Sequence, residues 1–135
     1  MNYWLVKSEP DAYSWKKFLE EKQTVWSGIR NFQARNNLRT MKTGDNVLFY
    51  HSNVGKEIVG VAKVIQEAYQ DPTTKETAWL TVDLQPIRTL KKAITLDEIK
   101  SDSKLNEMVL LKNSRLSVQP VTKEEFERVI ELSKK

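Results

Sequence analysis

The residues best suited to chemistry lie together in the segment WSGIRNFQARNN, residues 26–37. It combines an aromatic side chain, two arginines and several amides, and residues 23–44 include four basic residues and no acid. An aromatic face can stack on a nucleobase, a guanidinium group can hold a phosphate, and an amide can hydrogen-bond a base edge. This pattern indicates a nucleic-acid partner more than an enzyme.

Trp26 is the candidate stacking residue. It adjoins Gly28 in a predicted loop and belongs to no amphipathic stripe, whereas Trp4 and Trp79 have the apolar neighbours of core residues. A base stacked on an aromatic side chain contributes on the order of 1–3 kcal/mol. From the sequence, a stacking role and a core role for Trp26 are equally open. If Trp26 stacks on a base, Trp26→Ala should abolish binding and leave the fold intact.

The sequence contains no evident catalytic or metal-binding set. His51 is the single histidine and there is no cysteine, so a metal site lacks its common ligands, and no serine lies in a Gly-x-Ser-x-Gly context. His51 is interpreted as a strand-end residue that makes one hydrogen bond. Glu9 follows a predicted strand and could accept a hydrogen bond from the amine of cytosine, or lie in a surface turn. We therefore predict no cofactor and no metal.

Composition limits the classes of protein that remain. The 135 residues are 39% hydrophobic and 30% charged, with a net charge of +4, which fits one domain over residues 1–135 with a real core. No apolar run approaches the ~18 residues of a membrane helix, and the N-terminus lacks the pattern of a secretion signal. No membrane partner is expected, and the absence of cysteine favours a cytoplasmic location.

The elements that must position these residues are short helices and strands in alternation. Strands are predicted at residues 2–7, 46–52, 58–69, 78–87 and 117–121, and helices at 15–22, 31–41, 96–100 and 122–132. Ser14 is predicted to cap the first helix, with Trp15, Phe18 and Leu19 on its inner face. This order predicts an α+β fold, a small mixed barrel that is closed to remove exposed edges.

Five segments resemble the EVE domain. They occur in order over nearly the whole chain: YWLVKSEP (3–10), WSGIRNFQARNN (26–37), GDNVLFYHS (44–52), IVGVA (58–62) and SRLSVQP (114–120). The resemblance implies a PUA-like pseudo-barrel of five to six mostly antiparallel strands flanked by short helices. It also implies kinship with YTH domains, which hold a methylated adenine in an aromatic cage, and with RNA-binding PUA and ASCH domains. A short chain of this type is expected to be bacterial or archaeal.

The same resemblance implies a function. EVE domains are regarded as binders of modified bases, particularly modified cytosines in DNA, so we expect a non-catalytic module that binds DNA or RNA. Two alternatives stay open at this point. One is an enzyme that acts on a base or nucleotide, with Glu9 or His51 as general acid or base. The other is a small-ligand or protein-interaction module that uses the same pocket.

The resemblance also assigns residues by position. Trp26 matches the first cage aromatic of YTH domains, and Tyr50 or Trp79 could supply a second wall, although Trp79 is expected in the core. The residues expected to bind the nucleobase are Ser8, Glu9, Trp26, Ser27, Asn31, Tyr50, Ser52, Leu116 and Ser117. The residues expected to bind phosphate are Lys7, Arg30, Arg35 and Arg115.

Overall fold

A six-stranded mixed sheet forms the framework of the protein, and the computed structural model describes all of residues 1–135. The strands are β1 (Tyr3–Ser8), β2 (Thr24–Val25), β3 (Asn46–His51), β4 (Glu57–Gln70), β5 (Leu80–Thr95) and β6 (Val118–Val121). The helices are α1 (Trp15–Glu21), α2 (Phe32–Thr40), α3 (Leu96–Ser101), α4 (Val109–Lys112) and α5 (Lys123–Ser133). The α+β class is confirmed. No helix is long and apolar enough to cross a lipid bilayer.

The strand order is β2-β5-β4-β3-β1-β6. β1 pairs in parallel with β3, and every other neighbouring pair is antiparallel. The edge strands β2 and β6 do not pair with each other, so the predicted closure of the barrel by hydrogen bonds is wrong. Helix α2 covers the opening instead, because it contacts β6 as well as β4 and β5. Asn37 Nδ2 in this helix donates to the Val118 carbonyl, at 2.7 Å.

Two hydrophobic clusters lie on opposite faces of the sheet, because alternate residues of a strand point to opposite sides. On β3, Phe49 belongs to the first cluster, which also holds Trp26 and the buried residues of α1 and α2. Tyr50, the next residue, belongs to the second cluster, which α3, α4 and α5 cover. The face on which a side chain lies is thus set by its place in the alternation.

Four helices begin at a residue whose side-chain oxygen accepts a backbone N–H of the first turn. These N-caps are Ser14, Asn31, Thr95 and Thr122. All four were expected from the sequence at helix starts. The inner face predicted for α1 is partly wrong, since this helix buries Trp15 and Phe18 while Leu19 is 41% exposed.

Helix α1 is fixed to the sheet through Trp15. Its backbone N–H donates to His51 Nε2 at 3.0 Å, and its indole N–H donates to Thr89 Oγ1 at 2.8 Å. The single hydrogen bond predicted for His51 is confirmed. Burial lowers the pKa of His51 against the opposing effect of Glu57, which keeps the imidazole neutral and able to accept. A Cβ atom at Gly60 would lie 2.2 Å from Trp15 Cζ2.

We therefore expect Gly60→Ala to destabilise the protein by about 1–3 kcal/mol, because the added methyl group must displace the Trp15 ring. Urea unfolding followed by circular dichroism measures this loss. In the double variant Gly60→Ala with Trp15→Phe, the offending six-membered ring of the indole is absent. The double variant should lose less free energy than the sum of the two single losses. Strictly additive losses would contradict the steric explanation.

Candidate functional site

A cavity of about 490 Å³ opens where β1 ends, between α1 and the loop that follows β2. Its volume lies within the range of roughly 300–1,000 Å³ typical of small-molecule sites. Five of the expected site residues line it, namely Lys7, Ser8, Glu9, Trp26 and Ser27. The fold thus brings together the end of the first strand and the tryptophan loop, as the sequence resemblance implies.

Trp26 belongs both to the core and to the cavity wall. It is 8% exposed, and its ring centroid lies 5.7 Å from that of Phe49 and 6.1 Å from that of Tyr13, with the planes steeply inclined in both pairs. The two roles left open by the sequence are therefore combined in one side chain. Trp26→Ala would open a core defect that costs about 3–5 kcal/mol, so a loss of binding in this variant would not separate stacking from packing.

The indole N–H of Trp26 has no acceptor within the protein. The other three tryptophans donate theirs to Asp45, Thr89 and Glu76. The N–H is not a buried donor, because Gln119 Oε1 is the only buried side-chain polar atom that lacks a hydrogen bond, and Trp26 lines an open cavity. This N–H is therefore free to bind a carbonyl oxygen or ring nitrogen of a ligand.

Tyr13 supplies the second aromatic wall, although it is absent from the expected site residues. Its hydroxyl donates to Glu21 Oε1 at 2.6 Å. Burial, together with Glu21, raises the pKa of Tyr13 to about 12, so the phenol stays protonated. A sequence signal does exist: Tyr13 precedes the N-cap Ser14 and packs on Phe18, with ring centroids 6.1 Å apart, which is the spacing of a hydrophobic staple.

Two hydrogen-bond acceptors at the cavity are unused. The Ser27 backbone carbonyl accepts no hydrogen bond from the protein, while its N–H donates to the Val25 carbonyl at 2.9 Å. The Glu9 carboxylate likewise has no protein donor. The Ser8 hydroxyl is engaged, because it donates to the Tyr13 carbonyl at 2.5 Å. Ser27 and Glu9 can therefore accept from the amine of a base.

Two lysines and two glutamates, Lys7, Lys17, Glu9 and Glu21, line the cavity. Lys7 Nζ donates to the Ser114 carbonyl at 2.6 Å, and burial lowers the pKa of Lys7. Lys17 also lines the cavity, although it is not among the expected residues. Arg115 is exposed beside Ser114 and makes no hydrogen bond through its side chain. Lys7 and Lys17 are thus the cations at the cavity, and Arg115 lies outside its lining, next to the residue that accepts from Lys7.

Asp71 holds the tryptophan loop in place. Its fully buried carboxylate accepts from the Gly28 N–H at 2.7 Å and from Arg30 Nη1 at 3.0 Å through Oδ2. Its Oδ1 accepts from the Thr73 N–H at 2.8 Å and hydroxyl at 2.6 Å. Gly28 has a φ of +85°, a conformation that favours glycine. Gly28 and Arg30, which follow Trp26 and Ser27 in the chain, are thereby fixed to the connection between β4 and β5.

Two expected residues, Tyr50 and Leu116, and the alternative wall Trp79 lie away from this cavity because of their strand faces or packing. Tyr50 is 4% exposed in the second core cluster, on the opposite face of β3 from Phe49. Leu116 is 2% exposed in the first cluster. Trp79 is outside the core and partly exposed, with its ring centroid 4.9 Å from that of Phe32. Neither Tyr50 nor Trp79 is the second wall.

Three further expected residues have structural roles beside the cavity. Asn31 caps α2 by accepting the Ala34 N–H at 2.9 Å. Ser52 donates its N–H to the Ser8 carbonyl, and the Ser117 carbonyl accepts the N–H of Lys7, both at 2.9 Å. Ser52 and Ser117 therefore position the end of β1 through backbone bonds and do not line the cavity.

Two of the arginines expected to bind phosphate are engaged in the protein. Arg30 pairs with the buried Asp71, and Arg35 Nη1 donates to the Ala78 carbonyl at 2.7 Å. Neither lines the cavity. No group of three or more histidine, aspartate or glutamate residues is arranged to hold a metal ion.

Comparisons of the sequence and of the structure with known proteins point to the same family. A family model described as "EVE domain" matches residues 2–132. Mouse thymocyte nuclear protein 1 is 41% identical over an alignment of 165 positions, which covers 97% of this chain and 73% of the mouse protein. The solved structure of Rpa0253 from Rhodopseudomonas palustris is 43% identical, with a TM-score of 0.95 over 99% of this chain and 94% of that one.

Two solved structures contain nucleic acid. Human THYN1 in complex with 5-methylcytosine-containing DNA is 37% identical, with a TM-score of 0.93 over 100% of this chain and 99% of that one. A YTH domain from Zygosaccharomyces rouxii, solved with N6-methyladenosine RNA, shares the fold at 16% identity and a TM-score of 0.63, over 98% of this chain and 86% of that one. The resemblance to the EVE domain is thereby confirmed, and the likeness to the YTH domain is one of fold.

The hydrogen bonds that Asp71 accepts lead to a testable prediction. Asp71→Asn should lower the free energy of unfolding by about 1–3 kcal/mol, because an amide cannot accept on both sides as the carboxylate does. It should also speed hydrogen exchange at the Gly28 N–H, measured by NMR. Asp102→Asn is the matched control, since Asp102 pairs with Arg128 far from the cavity. The control should lose stability without changing exchange at Gly28, and faster exchange in both variants would contradict a specific role for Asp71.

The stability of the protein at low pH should depend on the same carboxylate, that of Asp71. Burial alone would raise the pKa of Asp71, but hydrogen bonds from Thr73, Gly28 and Arg30 outweigh it and hold this pKa well below its usual value. A carboxylate of this kind stabilises the folded state fully above about pH 4 and loses that contribution as pH falls towards its folded-state pKa. Wild type should therefore lose more stability than Asp71→Asn between neutral pH and about pH 3. Equal losses in thermal melts would contradict the assignment.

Proposed function

This chain belongs to the EVE domain family, and we propose that it is a non-catalytic nucleic-acid-binding module whose cavity holds a modified base, such as a methylated cytosine. The observation that carries the proposal is the Trp26 indole, which lines a cavity and keeps an unsatisfied N–H. The relative human THYN1 was solved with DNA that contains 5-methylcytosine, which supports this class of ligand.

Groups that complement a nucleobase lie on each side of the cavity. Trp26 and Tyr13 provide aromatic surfaces at right angles, on which a base can stack and pack by its edge. The Ser27 carbonyl and the Glu9 carboxylate can accept from an exocyclic amine, and the Trp26 N–H can donate to a base acceptor. These groups match the donor and acceptor edge of cytosine. A base must leave its stack to enter, so single-stranded or mismatched sites should bind best.

Discrimination of the modification depends on apolar contact. A buried methyl group contributes about 0.8 kcal/mol, which corresponds to a few-fold preference. Val25, Ile29 and Ala12 line the cavity and can provide this contact. A larger preference requires that an unmodified base leave unfilled space beside these residues.

Phosphate contacts should supply much of the affinity. Lys7 and Lys17 line the cavity, and Arg115 is exposed next to Ser114, which accepts from Lys7. Each neutralised phosphate releases counterions, so affinity should fall steeply with salt. A binding constant that is insensitive to salt would speak for a small-ligand or protein-interaction module instead.

An enzyme is the less favoured candidate. His51 does not line the cavity, and its Nε2 accepts the backbone N–H of Trp15. Of the two general acid-base candidates, Glu9 alone lines the cavity. A turnover of nucleotide or oligonucleotide that is lost in Glu9→Gln would overturn the proposal of a non-catalytic module.

The decisive variant is Trp26→Phe, because it keeps most of the core volume and removes the indole N–H. We expect affinity for an oligonucleotide containing one 5-methylcytosine to fall roughly tenfold, through lost hydrogen bonding and stacking area. Fluorescence anisotropy with labelled single- and double-stranded oligonucleotides, at about 50 and 200 mM salt, measures the change. Matched oligonucleotides with cytosine and hydroxymethylcytosine test the modification.

Trp4→Phe is the control. Trp4 is also buried and donates to Asp45 Oδ2 at 3.0 Å, at the opposite end of β1 from the cavity. It should lose stability without losing affinity when both are measured well below the melting temperature. Unchanged affinity in Trp26→Phe, or equal losses in both variants, would contradict binding at the Trp26 cavity.

A further inference from the structure

An exposed aromatic pair lies outside the cavity. Phe32, the first residue of α2, is 60% exposed. Its ring centroid lies 4.9 Å from that of Trp79, and the two planes are inclined by 31°. Most side chains of this size are buried in a small protein. The pair belongs to neither hydrophobic cluster, so packing of the core does not explain it.

Two arginines flank the aromatic pair. The Arg35 guanidinium lies 5.2 Å from the Phe32 ring centroid, and that of Arg30 lies 5.6 Å from the Trp79 ring centroid. Arg30 is balanced by Asp71, whereas Arg35 has no acidic partner and donates to the Ala78 carbonyl. The patch therefore combines two aromatic rings with two guanidinium groups, of which that of Arg35 has no carboxylate partner.

The patch is preorganised and close to the cavity. The Trp79 N–H donates to Glu76 Oε2 at 2.9 Å, and Arg30 is fixed by the same Asp71 that holds Gly28. Ile29 lines the cavity, and three further residues of chain span at most about 11 Å. Stacked nucleotides advance about 3.4 Å each along one strand. A strand bound at the cavity can therefore reach Phe32 within about three nucleotides.

We propose that Phe32 and Trp79, together with Arg30 and Arg35, form a second nucleotide site that stacks a base flanking the one in the cavity. This inference rests on the proposed function. The Glu76 carboxylate at the Trp79 end of the patch repels phosphate. Arg35, at the Phe32 end, would therefore hold a phosphate of the same strand. Base stacking on aromatic side chains tolerates any base. The site would thus add affinity for a strand without adding sequence preference.

The experiment compares an oligonucleotide with a mononucleotide. Phe32→Ala should weaken binding of a 5-methylcytosine oligonucleotide of about ten nucleotides roughly five- to 150-fold, and leave binding of 5-methyldeoxycytidine monophosphate unchanged. Phe32→Tyr should retain affinity, because stacking survives. Arg35→Gln should make the slope of log K against log salt less steep, by the amount that one phosphate contact contributes.

Val54→Ala is the matched control, since Val54 is 59% exposed in the turn between β3 and β4 and lines no part of the cavity. It should bind both probes as wild type does. Should Trp26→Phe weaken oligonucleotide binding while Phe32→Ala changes it less than twofold, the second site is refuted and the proposed function stands. Absence of oligonucleotide binding by the wild type refutes both. A Phe32→Ala variant that alters self-association in sedimentation, with oligonucleotide affinity unchanged, refutes the second site in favour of a protein contact.

Discussion

The candidate site depends on one buried carboxylate. Asp71 is fully buried and accepts four hydrogen bonds from Gly28, Arg30 and Thr73. A buried charge is tolerated only when donors surround it, so these partners must adopt one arrangement. That arrangement fixes the loop that carries Trp26 and aligns Arg30 with Trp79. A turn residue in the connection between β4 and β5 thus positions both the cavity and the neighbouring aromatic patch.

The other wall of the cavity depends on the start of α1. Tyr13 packs on Phe18 and bonds to Glu21 in that helix, while Trp15 fixes the helix to the sheet over Gly60. The cavity is therefore a space between two independently anchored segments, and no residue is required to fill it. This explains how Trp26 can be packed like a core residue and still line the cavity.

Local chemistry made much of the fold predictable. N-cap residues such as Ser14 and Thr122 mark the starts of helices. Four of the five segments that resemble the family contain all or part of a strand. The site was less predictable, because its geometry depends on contacts distant in sequence. Asp71 has the appearance of an ordinary turn residue, and only the fold brings it to Gly28. Tyr50 illustrates a different difficulty: neighbouring Phe49 faces the Trp26 cluster, and alternation along β3 sends Tyr50 to the opposite side.

The position of β1 between β3 and β6 has a consequence for the order of assembly. The N–H of Lys7 bonds to the Ser117 carbonyl, and its side chain reaches Ser114 across a separation of 107 residues. The end of β1, the first strand along this chain, is therefore fixed only when β6, the last strand, is in place. Such distant pairings slow folding, because the chain entropy of closing a long loop must be overcome first. The cavity, which that end of β1 lines, can become complete only after the segment from Ser114 to Ser117 has joined the sheet.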